Sequence, residues 1–204
     1  MARDTTSIVK RSRREGYALH PKAHKVLVKR TAKPGQLHRD QRSKPSQYAI
    51  QLREKQKVKR LYGLLERQFA KLTTEAIRRA GPSGANLLEL LERRLDNVIY
   101  RSGLAPSRPA ARQLASHGHF TLNGKRVNVP SILVEVGDEL SLRDHSRSGA
   151  YFKQLDAVSP APSSIPEWLK VERKKGQIKV TALPSRDQAE PDLQEQLIIE
   201  FYSR

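Results

Sequence analysis

Apolar side chains are thinly scattered before Ser46 and become periodic after it. Tyr48, Leu52 and Tyr62 form a narrow apolar stripe, which predicts a helix from about Ser46 that ends at Gly63. Leu65, Phe69, Leu72 and Ala76 recur at helical spacing until Gly81-Pro82, a pair that stops a helix. A third predicted helix starts near Ala85, carries Leu88, Leu91, Leu95 and Val98 on one face, and stops at Gly103. Three short amphipathic helices of this kind bury their stripes by packing together.

The period changes after Ser107. Its hydroxyl is suited to cap a helix that tolerates Pro109 in its first turn, where the missing amide hydrogen costs little. Ala111, Leu114 and Ala115 give that helix an apolar side, and Gly118 closes it in the left-handed conformation. Phe120 and Leu122 then alternate with polar neighbours, Asn123-Gly124 supplies a type I′ turn, and Val127 and Val129 return on the same face. Leu140 and Leu142 predict a further strand after the Gly137-Asp138 turn. Pro160, Pro162, Pro166 and Pro184 predict a loop-rich extension, while Trp168, Leu197, Ile198, Ile199 and Phe201 need cover from water.

The expected fold class is α+β. A basic extended N-terminal arm spans residues 1–45, and a small helical domain spans 46–92 and is joined by the C-terminal 187–204. Residues 93–186 form an inserted helix-and-antiparallel-sheet module with its loop-rich extension. The arm is read as extended because Gly16, Pro21, Pro34, Gly35 and Pro45 interrupt it and no period persists, so it is expected to order on a partner.

Charge names the class of partner. The chain carries a formal +18, and residues 1–60 hold 18 basic against 4 acidic side chains, whereas residues 151–204 hold 8 of each. Concentrated like charge destabilises a compact state unless something neutralises it, and nucleic acid is the leading candidate. An anionic membrane would call for a basic helix with a broad aromatic and aliphatic face, and the first sixty residues contain no Trp or Phe. No run of apolar residues exceeds three, so no spanning helix or secretory segment is expected, and the chain reads as soluble and intracellular.

Little in the chain suits catalysis. With no cysteine, disulfides, thiolate nucleophiles and cysteine-held metals are excluded. Gly81-Pro82-Ser83-Gly84 lacks the Lys-Ser/Thr of a phosphate-binding loop, and His117-x-His119 has no partner at metal-ligand spacing. Glu89, Glu92 and Asp96 share a helix with Arg93 and Arg94, which reads as solvated ion pairs. No catalytic residue, metal or cofactor is expected. On the helix after Ser107, Arg108 and Arg112 lie at i, i+4 opposite the apolar side, with His119 just past the end and Lys125 and Arg126 at the hairpin tip. Two planar guanidinium forks at fixed spacing suit phosphate oxygens. An ordinary solvated helix face would have the same composition.

Ser107-Arg108, Ala111-Arg112-Gln113-Leu114, His117-Gly118-His119, Asn123-Gly124, Pro130-Ser131 and Gly137-Asp138 resemble the compact RNA-binding module named after the fourth small-subunit ribosomal protein. That module also occurs in enzymes and in free RNA-binding proteins, so the remainder of the chain decides its host. Met1-Ala2-Arg3, the KRSRREG run from Lys10 to Gly16, the Ser46–Phe69 segment, LERRLDNVIYRSG from Leu91 to Gly103, and the closing Phe201-Tyr202-Ser203-Arg204 are similar, in order and spacing, to the bacterial family of that ribosomal protein. The resemblance covers the chain from end to end.

It implies RNA contacts from Arg3, Lys10, Arg11, Arg13, Arg14, Arg42 and Lys44 in the arm. It implies others from Tyr48, Gln51, Lys55, Lys57 and Arg60 in the first helix, and from Arg108, Arg112, His117, His119, Lys125 and Arg126 in the module. The implied role is a non-enzymatic component of the cytoplasmic ribosome that binds the 5′ domain of small-subunit rRNA and nucleates assembly. It would neighbour small-subunit proteins three and five, line the mRNA entry channel and influence accuracy, as neither a membrane protein nor a homo-oligomer. Three departures stand out: no cysteine cluster for zinc, Leu37-His38 where the family usually has His-Gly after Pro-Gly-Gln, and Pro109-Ala110 where relatives often carry a basic residue or Gln.

Overall fold

In a computed structural model, the structure describes residues 4–30, 32–35, 44–162 and 164–203. The chain divides into two compact units, residues 1–87 with 192–204, and residues 88–191.

The first unit is helical. It contains α1 (Ile8–Glu15), α2 (Pro21–Lys29), α3 (Gln47–Leu61), α4 (Glu66–Arg78) and the first part of α5 (Ser83–Glu92). The expected extended arm is corrected here, because residues 8–15 and 21–29 are helices. The glycine and proline taken as breakers are end signals. Gly16 sits in the left-handed conformation just past α1 (φ 66°), and Pro21 occupies the first turn of α2 beneath a His20 cap on the Lys22 amide, 3.1 Å. Long-range contacts complete the correction. The Glu15 side chain is fully buried between Arg53, 3.3 Å away, and Arg60, both on α3. Leu19 and Ala23 are buried beside it.

α3 follows the sequence expectation, with the Ser46 hydroxyl accepting from the Ala49 amide at 3.3 Å. Its inner face buries Val58 and Leu61, and α4 contributes Phe69 and Ala76. A C-terminal helix, Glu195–Tyr202, lies on α3 and α4. Ile198 is fully buried, Tyr48 and Phe201 meet at 5.6 Å, and Phe69 and Tyr202 meet at 6.2 Å. Polar groups fix the register. Gln51 donates to Glu200 at 2.9 Å, and the Gln194 amide donates to Glu54 at 2.9 Å. Glu66 accepts from Lys55 (2.6 Å), Lys59 (2.8 Å) and the Tyr202 hydroxyl (2.8 Å). Burial pushes the Glu66 carboxyl up, but these three donors outweigh it and hold it at about 2.

The second unit opens with a break. The single helix expected through Gly103 is two, because Arg94 is extended (ψ 137°) between α5 and α6 (Leu95–Arg101). The Leu95 and Asp96 amides donate to Ile132 O (2.8 Å) and Pro130 O (3.1 Å), while the Val134 amide donates to Arg93 O (2.9 Å). A segment distant in sequence, residues 130–134, therefore captures the backbone that would have continued the helix.

α7 (Arg108–Ser116) is capped by the Ser107 hydroxyl on the Ala110 amide, 3.4 Å, and Gly118 follows it at φ 69°. β1 (Phe120–Leu122), β2 (Lys125–Val127) and β3 (Glu139–Leu142) come next, then three single-turn helices, α8 (Asp144–Arg147), α9 (Ala150–Lys153) and α10 (Leu155–Val158). β4 (Leu169–Glu172) and β5 (Gln177–Val180) complete an antiparallel sheet in the order β2-β1-β3-β5-β4. The C-terminal helix Glu195–Tyr202 is α11.

Asn123 and Gly124 both have positive φ, 49° and 79°, as a type I′ turn requires. β2 ends at Val127 rather than reaching Val129, which is exposed. The extension expected to be loop-rich supplies two strands, its prolines lying between elements. Phe120, Leu140, Leu142, Trp168, Leu169, Ile178 and Val180 meet Ala111 and Ala115 of α7 and Val98 and Ile99 of α6 in one core.

Beside that core runs a polar network. Asp96 receives Arg94 at 3.1 and 2.8 Å and Arg112 at 3.2 Å. Glu92 receives Arg101 at 3.0 and 2.8 Å and Asn97 at 2.6 Å. The solvated ion pairs expected here are corrected, since Glu92, Arg94 and Asp96 are 0%, 3% and 5% exposed.

Asp96→Ala removes the carboxylate that Arg94 and Arg112 share, and an expected loss of about 3 to 5 kcal/mol is measurable by chemical denaturation. Glu66 has a folded value below its ordinary 4.5, so its contribution is complete above about pH 4.5 and is lost as pH falls toward 2. Unfolding midpoints of wild type are therefore expected to fall across that interval, and Glu66→Gln should flatten the fall, modestly because the carboxylate is half exposed.

Candidate nucleic-acid interface

The first unit sorts its cations into two groups. One group is engaged internally. Arg11 donates to Thr6 O (2.9 Å) and Asp4 O (2.7 Å) and pairs with the Asp4 carboxylate at 3.2 Å. Arg13 holds Ala32 O at 3.1 and 2.9 Å. Lys55 is buried against Glu66 and lies 4.4 Å from the Phe201 ring centre. Lys57 bonds Glu54 and Asp192 O, each at 2.8 Å, and lies over Tyr17. Gln51 is buried, Arg60 is spent on Glu15, and Tyr48 stands half exposed against Phe201. Among the residues singled out by sequence these stabilise the helical unit itself.

The other group faces water. Lys10 and Arg14 are exposed one turn apart on α1, and Lys44 is exposed before α3. Arg3 and Arg42, also named from the sequence, lie outside the described residues. Helix formation adds cations the sequence reading passed over. Lys22, Lys25 and Lys29 stand at i, i+3, i+7 on the exposed side of α2, followed by exposed Arg30 and Lys33. On α4, Arg67, Lys71 and Arg78 share one exposed face with Thr74. The i, i+3, i+7 lysine spacing is the sequence signal for this face, and it has meaning only once residues 21–29 are helical.

In the second unit α7 turns its arginines inward. Arg108 donates to Asn97 Oδ1 at 2.9 Å and Glu190 at 2.8 Å and lies over Tyr100, while Arg112 reaches Asp96. The expectation of outward guanidinium groups is corrected by acceptors that come from α6 and from Glu190. His117 stays exposed, and Lys125 and Arg126 stand exposed on the hairpin. His119 is half buried, with Nδ1 3.0 Å from the Ser146 hydroxyl. Burial, then repulsion from His117 and Arg143, holds its imidazole below the ordinary histidine range, favouring the neutral ring. Arg143, His145 and Arg147 stand on the segment after β3 and had no signal beyond composition.

The chemistry of both units is that of anion binding by fixed cations. Among the described residues, no three His, Cys, Asp or Glu side chains converge on a metal-sized site, and no helix is long and apolar enough to cross a membrane.

Residues 3–92 match the model of the ribosomal protein S4/S9 N-terminal domain, and residues 93–140 match the S4 domain. The chain is 48% identical to small ribosomal subunit protein uS4 of Chlorobaculum tepidum, 49% to that of Pelotomaculum thermopropionicum and 48% to that of Clostridioides difficile. All three alignments cover 100% of both chains. At that identity over the whole length, the chain belongs to the uS4 family of small ribosomal subunit proteins.

Proposed function

We propose that the chain is a structural, non-enzymatic protein of the cytoplasmic small ribosomal subunit and a primary binder of the 5′ domain of its rRNA. In that role it holds a multi-helix junction and so nucleates assembly. It lies beside small-subunit proteins three and five and lines the mRNA entry region, where it influences accuracy. Full-length likeness to proteins named small ribosomal subunit protein uS4 supports the setting.

The observation that carries the RNA-binding part is the sorting of cations in the first unit. Acids inside the unit engage Arg11, Lys55, Lys57 and Arg60, whereas Lys10, Lys22, Lys25, Lys29, Arg67, Lys71 and Arg78 point to water with no carboxylate partner among the described residues. From Lys22 to Lys29 a helix rises about 10 Å, a span over which a duplex strand carries about three phosphates. Helices built on α3 present these charges in fixed positions, so less ordering entropy is lost on binding than from an extended arm. Selectivity then comes from fitting the shape of a folded junction, since A-form RNA hides its base edges in a deep groove.

Filter binding to a 5′-domain rRNA fragment, with a large-subunit fragment of equal length as control, tests this directly. Tight binding to the first alone that persists at moderate salt is expected; equal binding to both that vanishes as salt rises would refute it. The sorting of cations adds a sharper expectation. Replacing Lys22, Lys25 and Lys29 together by Gln should weaken binding and flatten the log–log salt slope by about 2. Arg112→Gln should instead lower the thermal midpoint and leave the slope of the folded protein unchanged.

A further inference from the structure

A cavity of about 320 Å³ opens in the second unit between α7, the turn that follows it, α8 and α9. Its floor is apolar and aromatic, made by Leu114, Tyr151 and Phe152. Its rim is cationic or imidazole-bearing, with His117, Arg143 and His145. His119 stands between the two, its ring 5.8 Å from Phe152 and 6.0 Å from His117. None of the residues from Arg143 to Phe152 was singled out by the sequence.

The wall is rigidly held. Tyr151 donates its hydroxyl to Leu104 O at 3.1 Å and meets Phe152 nearly edge to face at 5.0 Å. Phe152 also meets Phe120 at 6.3 Å and 88°, which ties the floor to the core. Arg143 donates one N–H of its fork to Gly118 O at 3.1 Å, and its other N–H groups have no protein acceptor among the described residues. The side chains of His117 and His145 are exposed and hold no carboxylate among the described residues.

An apolar wall of ring side chains beside a guanidinium with N–H groups to spare matches the two halves of a nucleotide, a ring to pack against and a phosphate to hold. We infer that this cavity takes one unstacked nucleobase from single-stranded RNA, with Phe152 and His119 against the base and Arg143 and His145 on the adjoining phosphate. The inference rests on the RNA-binding function proposed above and adds to it a site that reads a base rather than backbone charge. Exposed cations on α1 and α2 have one aromatic close by in sequence, Tyr17, and on α4 the nearest ring, Phe69, is fully buried in the core, so they supply no such platform. With its imidazole held neutral, His119 offers the base a hydrogen-bonding edge rather than a further charge.

Two oligoribonucleotides separate base from backbone. The full-length chain is titrated with hexauridylate and with an abasic hexaribonucleotide of equal charge, following the His117, His119 and Phe152 ring signals by NMR. Hexauridylate is expected to shift these signals and to bind roughly five- to a hundredfold more tightly than the abasic chain. Phe152→Leu, which keeps an apolar side chain and removes the ring, should bring both oligonucleotides to the abasic affinity; Arg143→Gln should weaken both alike. Equal binding of the two by wild type overturns the inference, and that comparison stands even if Phe152→Leu does not fold. Selective binding of the 5′-domain fragment without a base-dependent difference removes the pocket and leaves the rRNA-binding proposal intact. Base-dependent shifts without preference for that fragment do the reverse.

Discussion

A chain with a formal charge of +18 stays compact only if its few acids are placed where they neutralise the most. Glu15, Glu92 and Asp96 meet that constraint. Each is withdrawn from water, and each is met by arginine: Arg53 and Arg60 on the first, Arg101 on the second, Arg94 and Arg112 on the third. The interior of each unit thus keeps its own ionic balance, and the excess is left outside. Removing a single acid does more than subtract one charge, because the arginines drawn in on it lose an acceptor, and Arg94, with its side chain 3% exposed, has the least access to water in exchange.

The same constraint decides which cations are spent inside the fold. Arginines of the module helix and lysines of α3 resemble RNA-contacting positions in sequence, yet their amino and guanidinium groups are engaged within the fold. Exposed cations of the first unit lie instead mostly on α1, α2 and α4. Fixed charges at helical spacing can match one particular phosphate path. Mobile charges on a flexible tail would match any.

Sequence reading succeeded where a feature is decided within a few residues. Ser107, Pro109 and Gly118 delimit α7, and Asn123-Gly124 makes the turn its composition demands. It failed where a distant partner decides. Nothing near Arg94 announces a break, because the atoms that break the helix belong to Pro130 and Ile132. Nothing near Arg108 announces an inward side chain, because its acceptors are Asn97 and Glu190. The first two helices were missed for a different reason. Gly16 and Pro21 serve equally well as interruptions and as termini, and only the burial of Glu15, Leu19 and Ala23 decides between them.

The placement of α11 bears on how the protein is made. α3 and α4 are translated early, but the apolar side chains that cover them, Ile198 and Phe201, are translated only after the whole of the second unit. The sheet module can close while synthesis continues, whereas the helical unit waits with part of its core uncovered. During that interval the growing chain presents bare apolar surface beside dense positive charge, a combination that invites premature association with any polyanion at hand. Order of synthesis thus sets a time window in which the helical unit depends on protection from outside its own sequence.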